Sequence, residues 1–208
     1  MEFHDAIDKR RTVREFLDKE VSPDALRRIL AAGFAAPTWN HKRNWHYIVL
    51  GKEADRESIF AFAKKTADKF DAERYLTYPR PYPVTLGQKM YAHALPRQFS
   101  MLAEAPVVVI PVYRAREVGG GSFSALNPFA TIWCAVENIF LAATAEGLAC
   151  SMRIPMDDEH EEVKKKLKVP ATYRLPVFIG IGHADPAEPP LEQDAPDWDK
   201  QVHYGSWK

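Results

Sequence analysis

The longest apolar pattern in the chain runs from Pro128 to Cys150, PFATIWCAVENIFLAATAEGLAC. Phe129, Ile132, Trp133, Val136, Ile139, Phe140, Leu141 and Leu148 place apolar groups around the whole circumference of a helix rather than along one stripe. Such a helix is either a membrane span or a buried central helix. Glu137 and Asn138 stand at its midpoint, where an ionisable group in hydrocarbon is costly. The run is also short of the roughly 20 predominantly apolar residues a span needs. The pattern therefore predicts a core helix. Ala142, Ala143, Ala145 and Gly147 leave one side small enough for close packing, a second copy of the chain included.

Weaker patterns fill in the rest. Phe3, Ala6 and Ile7, at i, i+3 and i+4, predict a short helix over 2–9. Ser22-Pro23 opens a second, with Leu26, Ile29, Leu30 and Gly33 on its buried face, and Ala36-Pro37 stops it. A polar loop over 38–45 leads into a strand at 46–50. Residues 53–74 predict one helix or two. Over 75–84, Pro79, Pro81 and Pro83 alternate with tyrosines and exclude regular structure, leaving a surface connector or a lid. Residues 90–103 predict helix broken at Pro96. PVVVIPVY (106–113) and LPVFIGIG (175–182) are continuous apolar runs, suited to strands buried on both faces.

Gly119–Ser122 reads as a flexible loop and Ser151–Pro155 as a short extended link. Asp157 caps an amphipathic helix with His160, Val163 and Leu167 inward. Glu161–Lys165 and Glu162–Lys166 are favourable i,i+4 pairs, which makes the lysine run a solvated face. The Pro- and acid-rich tail, about 185–208, ends on aromatics and is expected to dock on its own domain or on a partner subunit. No repeat or linker divides the chain. Helices with a few distant strands predict one α+β domain over 1–208, a central sheet flanked by helices.

Composition narrows the function. Lys+Arg and Asp+Glu balance at 28 each, so net charge argues for neither a nucleic-acid nor an anionic-membrane partner. Cys134 and Cys150 lack metal-ligand spacing and read as small core residues. The scattered histidines form no HExxH and no Cys/His cluster, so no metal site is expected. The N-terminal MEFHDAIDKRR holds no apolar run, which predicts a cytoplasmic protein. There is no phosphate loop and no nucleophile elbow, and Asp185 stands where a dinucleotide fingerprint needs its third glycine. Composition leaves a Ser/His/Asp triad open but nothing points to one, so any hard chemistry is expected to come from a bound cofactor.

Arg10-Arg11-Thr12-Val13-Arg14 sets three guanidiniums in five residues at a helix end. Either its guanidiniums offset a helix C-terminus, or they form an anion site with the Thr12 hydroxyl, since Arg forks match phosphate oxygens. His41 and Arg43 are likewise either solvated loop residues or binding groups.

In this order the pieces resemble the FMN-dependent nitroreductase family. The resemblance rests on Arg10–Arg14 after a first short helix, and on Ala36-Pro37-Thr38 leading through a polar loop to Trp45 and a strand. It continues through Ala145-Glu146-Gly147-Leu148 and Val169-Pro170 to Ile179-Gly180-Ile181-Gly182, and so covers 2–183. His41-x-Arg43-x-Trp45 resembles one branch of the family.

The resemblance implies a nitroreductase-like α+β sandwich. It also implies a homodimer with two FMN sites at the subunit interface and the apolar helix as its long interface helix. Arg10, Thr12 and Arg14 are implied to bind the FMN phosphate, with Arg11 nearby. Pro37, Thr38, Asn40, His41 and Arg43 are implied to face the flavin from the loop. Ser151, Met152, Arg153 and Ile154 are implied to lay main chain against the ring, with an N–H near Ile154 at flavin N5 and Arg153 adding charge.

The implied activity is NADH- or NADPH-dependent electron transfer, through flavin N5, to a small organic acceptor of nitro or quinone type. A low-turnover flavin-binding sensor and a flavin-free domain for another phosphorylated ligand are the alternatives. Residues 75–84 and 90–98 are expected to wall the substrate side. Two departures stand out. Many members carry Asn-x-Gln-Pro-Trp in the loop, where this chain has His41-Lys42-Arg43-Asn44 before Trp45. Many also place a basic residue soon after the final Gly, where His183–Glu188 has none. Either the arginines hold the phosphate alone, or Lys200 or Lys208 returns from the tail.

Overall fold

The computed structural model describes residues 1–115 and 123–207. Helix α1 (Phe3–Lys9) is followed by an extended segment and by α2 (Pro23–Phe34). The start of α2 is fixed chemically: Ser22 Oγ accepts the Ala25 N–H at 3.1 Å, and Pro23 occupies the first turn. Strand β1 (Trp45–Leu50) leads into α3 (Arg56–Ile59), α4 (Ala61–Lys69) and α5 (Ala72–Thr77). The sequence predicted one or two helices here. Asp55 and Asp71 each open a separate one, accepting the Ser58 and Arg74 N–H at 3.1 and 2.8 Å. Tyr75–Thr77 are thus helical, and the irregular stretch begins at Tyr78.

Helix α6 (Leu86–Ala94) is set by a capping box between Thr85 and Gln88. A tight turn over Leu95–Gln98 then leads to α7 (Ser100–Ala103) and β2 (Val107–Arg114). After these come α8 (Asn127–Ala145), β3 (Ala149–Arg153), α9 (Asp157–Lys166), β4 (Tyr173–Arg174), β5 (Phe178–Gly182) and α10 (Trp198–Gln201). The sheet runs β1-β2-β5-β3 with every pairing antiparallel, and β4 pairs with β2.

The continuous apolar run of β2 has a direct cause. Val107 and Val109 enter one core with Ile29, Val136, Ile139 and Ile181. Val108 and Ile110, pointing the other way, enter a second core with Phe60, Met101, Val163 and Phe178. Both faces of the sheet are covered, so alternation disappears. At Gly180 an added methyl would press on the Met101 carbonyl and on Ser151 Oγ, so the glycine permits the close approach of α7, β5 and β3.

Several expectations are corrected. Helix α8 ends at Ala145, and Gly147 (φ +73°) turns the chain in a left-handed conformation, so Cys150 lies in β3. Its buried face is Ile132, Ala135, Val136, Ile139, Phe140 and Ala143, whereas Ala130, Cys134, Glu137 and Ala145 are exposed in the single chain. Cys134 is therefore not a core residue, while Cys150 is. By length and composition Phe123–Ala145 could cross a membrane. Here it packs on α2 and the sheet, and Asn138 Nδ2 donates to the Ala32 carbonyl at 3.0 Å.

Residues 151–153 are a paired strand rather than a link. On α9, Glu162–Lys166 forms at 2.7 Å, but Glu161 pairs with Lys164, which is buried rather than solvated. The tail aromatics Trp198, Tyr204 and Trp207 are exposed in the single chain. The glycine loop 119–122 lies outside the described residues.

Candidate functional site

The arginine segment is fixed by its backbone. Thr12 bridges Cys150 in parallel, and the Val13 N–H donates to the Cys150 carbonyl at 2.9 Å. On its other side, the Leu17 N–H reaches the His183 carbonyl at 2.9 Å, and the Asp185 N–H reaches the Glu15 carbonyl at 3.0 Å. Residues 12–17 are thus laid between the open edge of β3 and the chain leaving β5. Two segments more than a hundred residues apart in sequence, 10–14 and 151–154, become neighbours.

A pocket of about 290 Å³ opens beside this segment. Arg11, Thr12, Arg14 and Glu15 form its floor, α6 gives Met90, Tyr91 and His93, and the tail crosses it at Glu188–Leu191. Residues 90–94, expected on a substrate wall, thus stand at the arginines. Arg10 lies outside this pocket, 3.6 Å from Glu137 on α8. Arg11 Nη1 donates to the carbonyls of Asp8 (3.1 Å) and Arg10 (2.9 Å). Arg14 is the more committed cation: its Nε is buried without a hydrogen-bond partner. Burial pulls its pKa down, and Glu15 pushes it back up.

Glu15 is in turn paired with Arg97, from the turn between α6 and α7. No basic residue of the described tail enters the pocket. Lys200 is held by Asp197 at 2.8 Å within α10, and Lys208 lies outside the described residues. Sequence reasoning set His93 and Arg97 on a substrate wall and missed Glu188, because nothing in their local pattern points to residues 10–15. Glu15, His93 and Glu188 bring ligand atoms within 4.8 Å of one another, but Arg97 and Arg14 beside them oppose a cation. Burial lowers the His93 pKa, and Arg97 and Arg14 reinforce the shift against the pull of Glu15 and Glu188.

In β3, Ser151 is fully buried, its Oγ without a partner, and Met152 packs against the core. Arg153 corrects the sequence expectation. Its guanidinium is buried, pairs with Glu159 of α9, donates to Gln98 Oε1 at 3.0 Å and lies 5.3 Å from the Phe62 ring centre. It ties β3 to α9 and α4 rather than offering charge to a ligand. Ile154, just past the strand, is 60% exposed. It joins Tyr113, Phe129, Pro155, His160 and Arg174 around a wider cavity of about 630 Å³.

The loop at 37–43 is built differently. Pro37, Asn40, His41 and Arg43 are exposed, and Thr38 is half-buried. Asn40 (φ 54°) and His41 (φ 52°) are both left-handed, a conformation Asn tolerates better than His. The loop is anchored to α8, where the Trp39 N–H donates to Thr131 Oγ1 at 2.9 Å. No residue of 37–43 lines the arginine pocket, so one chain does not bring the two groups of expected site residues together.

The fold and site define an antiparallel α+β sandwich with an arginine-lined pocket at a sheet edge. The chain belongs to the nitroreductase family, whose profile matches residues 7–183. It is similar to the nitrobenzene nitroreductase of Ectopseudomonas oleovorans, 26% identical over 207 residues that cover 89% of this chain and 88% of that protein. The solved FMN and NADPH-dependent nitroreductase NfnB from Sphigopyxis sp. strain HMH shares the fold at TM-score 0.71 and 20% identity, over 100% of both chains. An FMN-dependent nitroreductase from Clostridium difficile R20291 does so at 0.67 and 20%, over 97% of this chain and 98% of that one.

Proposed function

We propose that this chain is a single-domain, FMN-dependent NAD(P)H oxidoreductase that acts as a homodimer. The observation that carries the reading is the pairing of residues 12–13 with Cys150, which sets the arginine-lined segment against the edge of β3. The residues fit a phosphate. Arg14 offers an unpartnered buried Nε, Thr12 and Arg11 line the same pocket, and charge-assisted bonds to phosphate are the strong kind. Arg10 can join them, because its long contact with Glu137 is partly exposed and weakly held.

When bound, FMN supplies hydride chemistry at N5, accepting from NADH or NADPH and passing electrons to a small nitro- or quinone-type acceptor. The chain's own part is position and exclusion of water. Ser151–Ile154 present main chain to the ring, with Ser151, Met152 and Arg153 paired to β5 and the Arg153–Glu159 tie holding the strand. Pro37, Thr38, Asn40, His41 and Arg43 serve the site of a second copy, since in their own chain they stand away from the arginine pocket. The exposed side of α8, with Ala130, Cys134 and Ala145, gives that copy a surface of small residues to pack on.

The test is spectroscopic. NADPH or NADH should bleach the bound flavin rapidly, and an added quinone should restore its colour. A flavin that stays oxidised would make the chain a carrier or sensor. A protein that refuses FMN but binds another phosphorylated ligand would remove the flavin altogether.

A further inference from the structure

The pocket assigned to a phosphate contains a carboxylate where an anion has to sit. Glu15 follows Arg14 in the chain and lines the same cavity. Left alone, its charge would repel a phosphate dianion and compete for the Arg14 guanidinium. The structure resolves this with Arg97. Its Nε meets Glu15, and its Nη1 donates to the His93 carbonyl at 3.0 Å, which fixes the fork in place. The two side chains are 32% and 21% exposed, so the pair is less screened than a surface ion pair. Glu15 Oε1 meets Arg97 as an ion pair without hydrogen-bond geometry, and Arg14 Nε has no hydrogen-bond partner. Glu188, the other carboxylate at this pocket, is exposed on the tail, where water screens it.

We propose that Arg97 is a positioning residue for the phosphate of the bound nucleotide: it holds Glu15 in an ion pair and so leaves Arg14 free to receive the anion. By charge it replaces the basic residue that this chain lacks after Gly182. It does so from an element more than eighty residues away in sequence. The inference rests on the FMN reading of the pocket.

The test compares two probes that differ only in the phosphate. Apo-protein is titrated with FMN and with riboflavin, following the quenching of flavin fluorescence, for the parent, Arg97→Ala, Arg97→Lys, Glu15→Gln and the double variant Glu15→Gln/Arg97→Ala. Arg97→Ala should weaken FMN by about tenfold or more, the scale of one charge-assisted contact, and leave riboflavin unchanged. Arg97→Lys should recover part of the loss. The double variant should return FMN affinity to within about threefold of the parent, because removing the stray carboxylate removes the need for its partner.

Equal losses for FMN and riboflavin in Arg97→Ala would overturn the proposal, as would a double variant no better than the single one. Should Arg97→Ala fail to fold, Glu15→Gln decides: it should hold FMN at least as tightly as the parent, and weaker binding overturns the idea. A parent that binds FMN no better than riboflavin would instead defeat the phosphate reading itself, and this inference with it.

Discussion

The arginine segment and the loop at 37–43 are both expected to touch the same cofactor, yet they are built on opposite principles. Residues 12–17 are over-determined. They are hydrogen-bonded to β3 on one side and to residues 183–185 on the other, with Val13 buried between. The loop is exposed, carries two left-handed non-glycine residues, and is anchored to α8 through Trp39. A rigid edge suits a phosphate, whose tetrahedral geometry is fixed. A more exposed loop, proposed to serve a second chain, suits a ring edge whose environment differs between family branches. The comparison teaches which half of the proposed site one chain would complete by itself.

The largest effect should fall on the frame that holds β3 straight. Glu159→Ala leaves the Arg153 guanidinium buried without its carboxylate and should cost about 3–5 kcal/mol of stability, read by urea denaturation. A cost below about 1 kcal/mol, the range of surface pairs, would mean that Arg153 is free to serve a ligand after all. Next comes the pocket. Arg14→Ala should weaken FMN binding by ~1.5–3 kcal/mol, with Arg43→Ala in the loop costing less. If the order is reversed in equilibrium dialysis, the division between rigid anchor and adaptable loop is wrong.

A pH series sharpens the same contrast. Burial lowers the pKa of both His93, at the pocket, and His160, whose Nε2 accepts the Leu175 N–H at 3.1 Å. The unfolded chain therefore binds more protons than the folded one just below the ordinary His value of about 6.5. Their contribution is intact above that pH and is lost as pH falls through it toward the depressed folded values. Thermal melts should show Tm declining over that interval, and His93→Asn should flatten the decline. The smallest effect belongs to the loop. His41→Gly relieves left-handed strain of roughly 1–2 kcal/mol but adds about 0.4–1 kcal/mol of unfolded-state entropy. Stability should rise by about 1 kcal/mol or less, and a large loss would show that the His41 side chain holds the loop.

What could be read in the sequence was local. The Ser22-Pro23 start of α2, the doubly buried runs of β2 and β5, and the cluster 10–14 each carry their signal within a few residues. What could not be read depends on partners distant in sequence. The Arg153–Glu159 tie turns an apparent ligand cation into a structural one, and Arg97 reaches Glu15 across more than eighty residues. Cys134 looked buried because its neighbours are apolar. The helix nevertheless has an open side, and one chain alone does not cover it. The apolar pattern overruns the end of α8 because Leu148 and Cys150 continue it past Gly147, where the backbone, not the hydropathy, stops the helix.

The most direct test of the central claim, that residues 10–14 beside β3 form the phosphate end of an FMN site, is a visible absorption spectrum. It would be taken on purified protein given excess FMN and then passed through gel filtration, in parallel with Arg14→Ala. The account predicts that the parent elutes yellow with an equimolar flavin spectrum and that the variant loses most of its colour. A colourless parent, or a variant that keeps its flavin as well as the parent does, would contradict it.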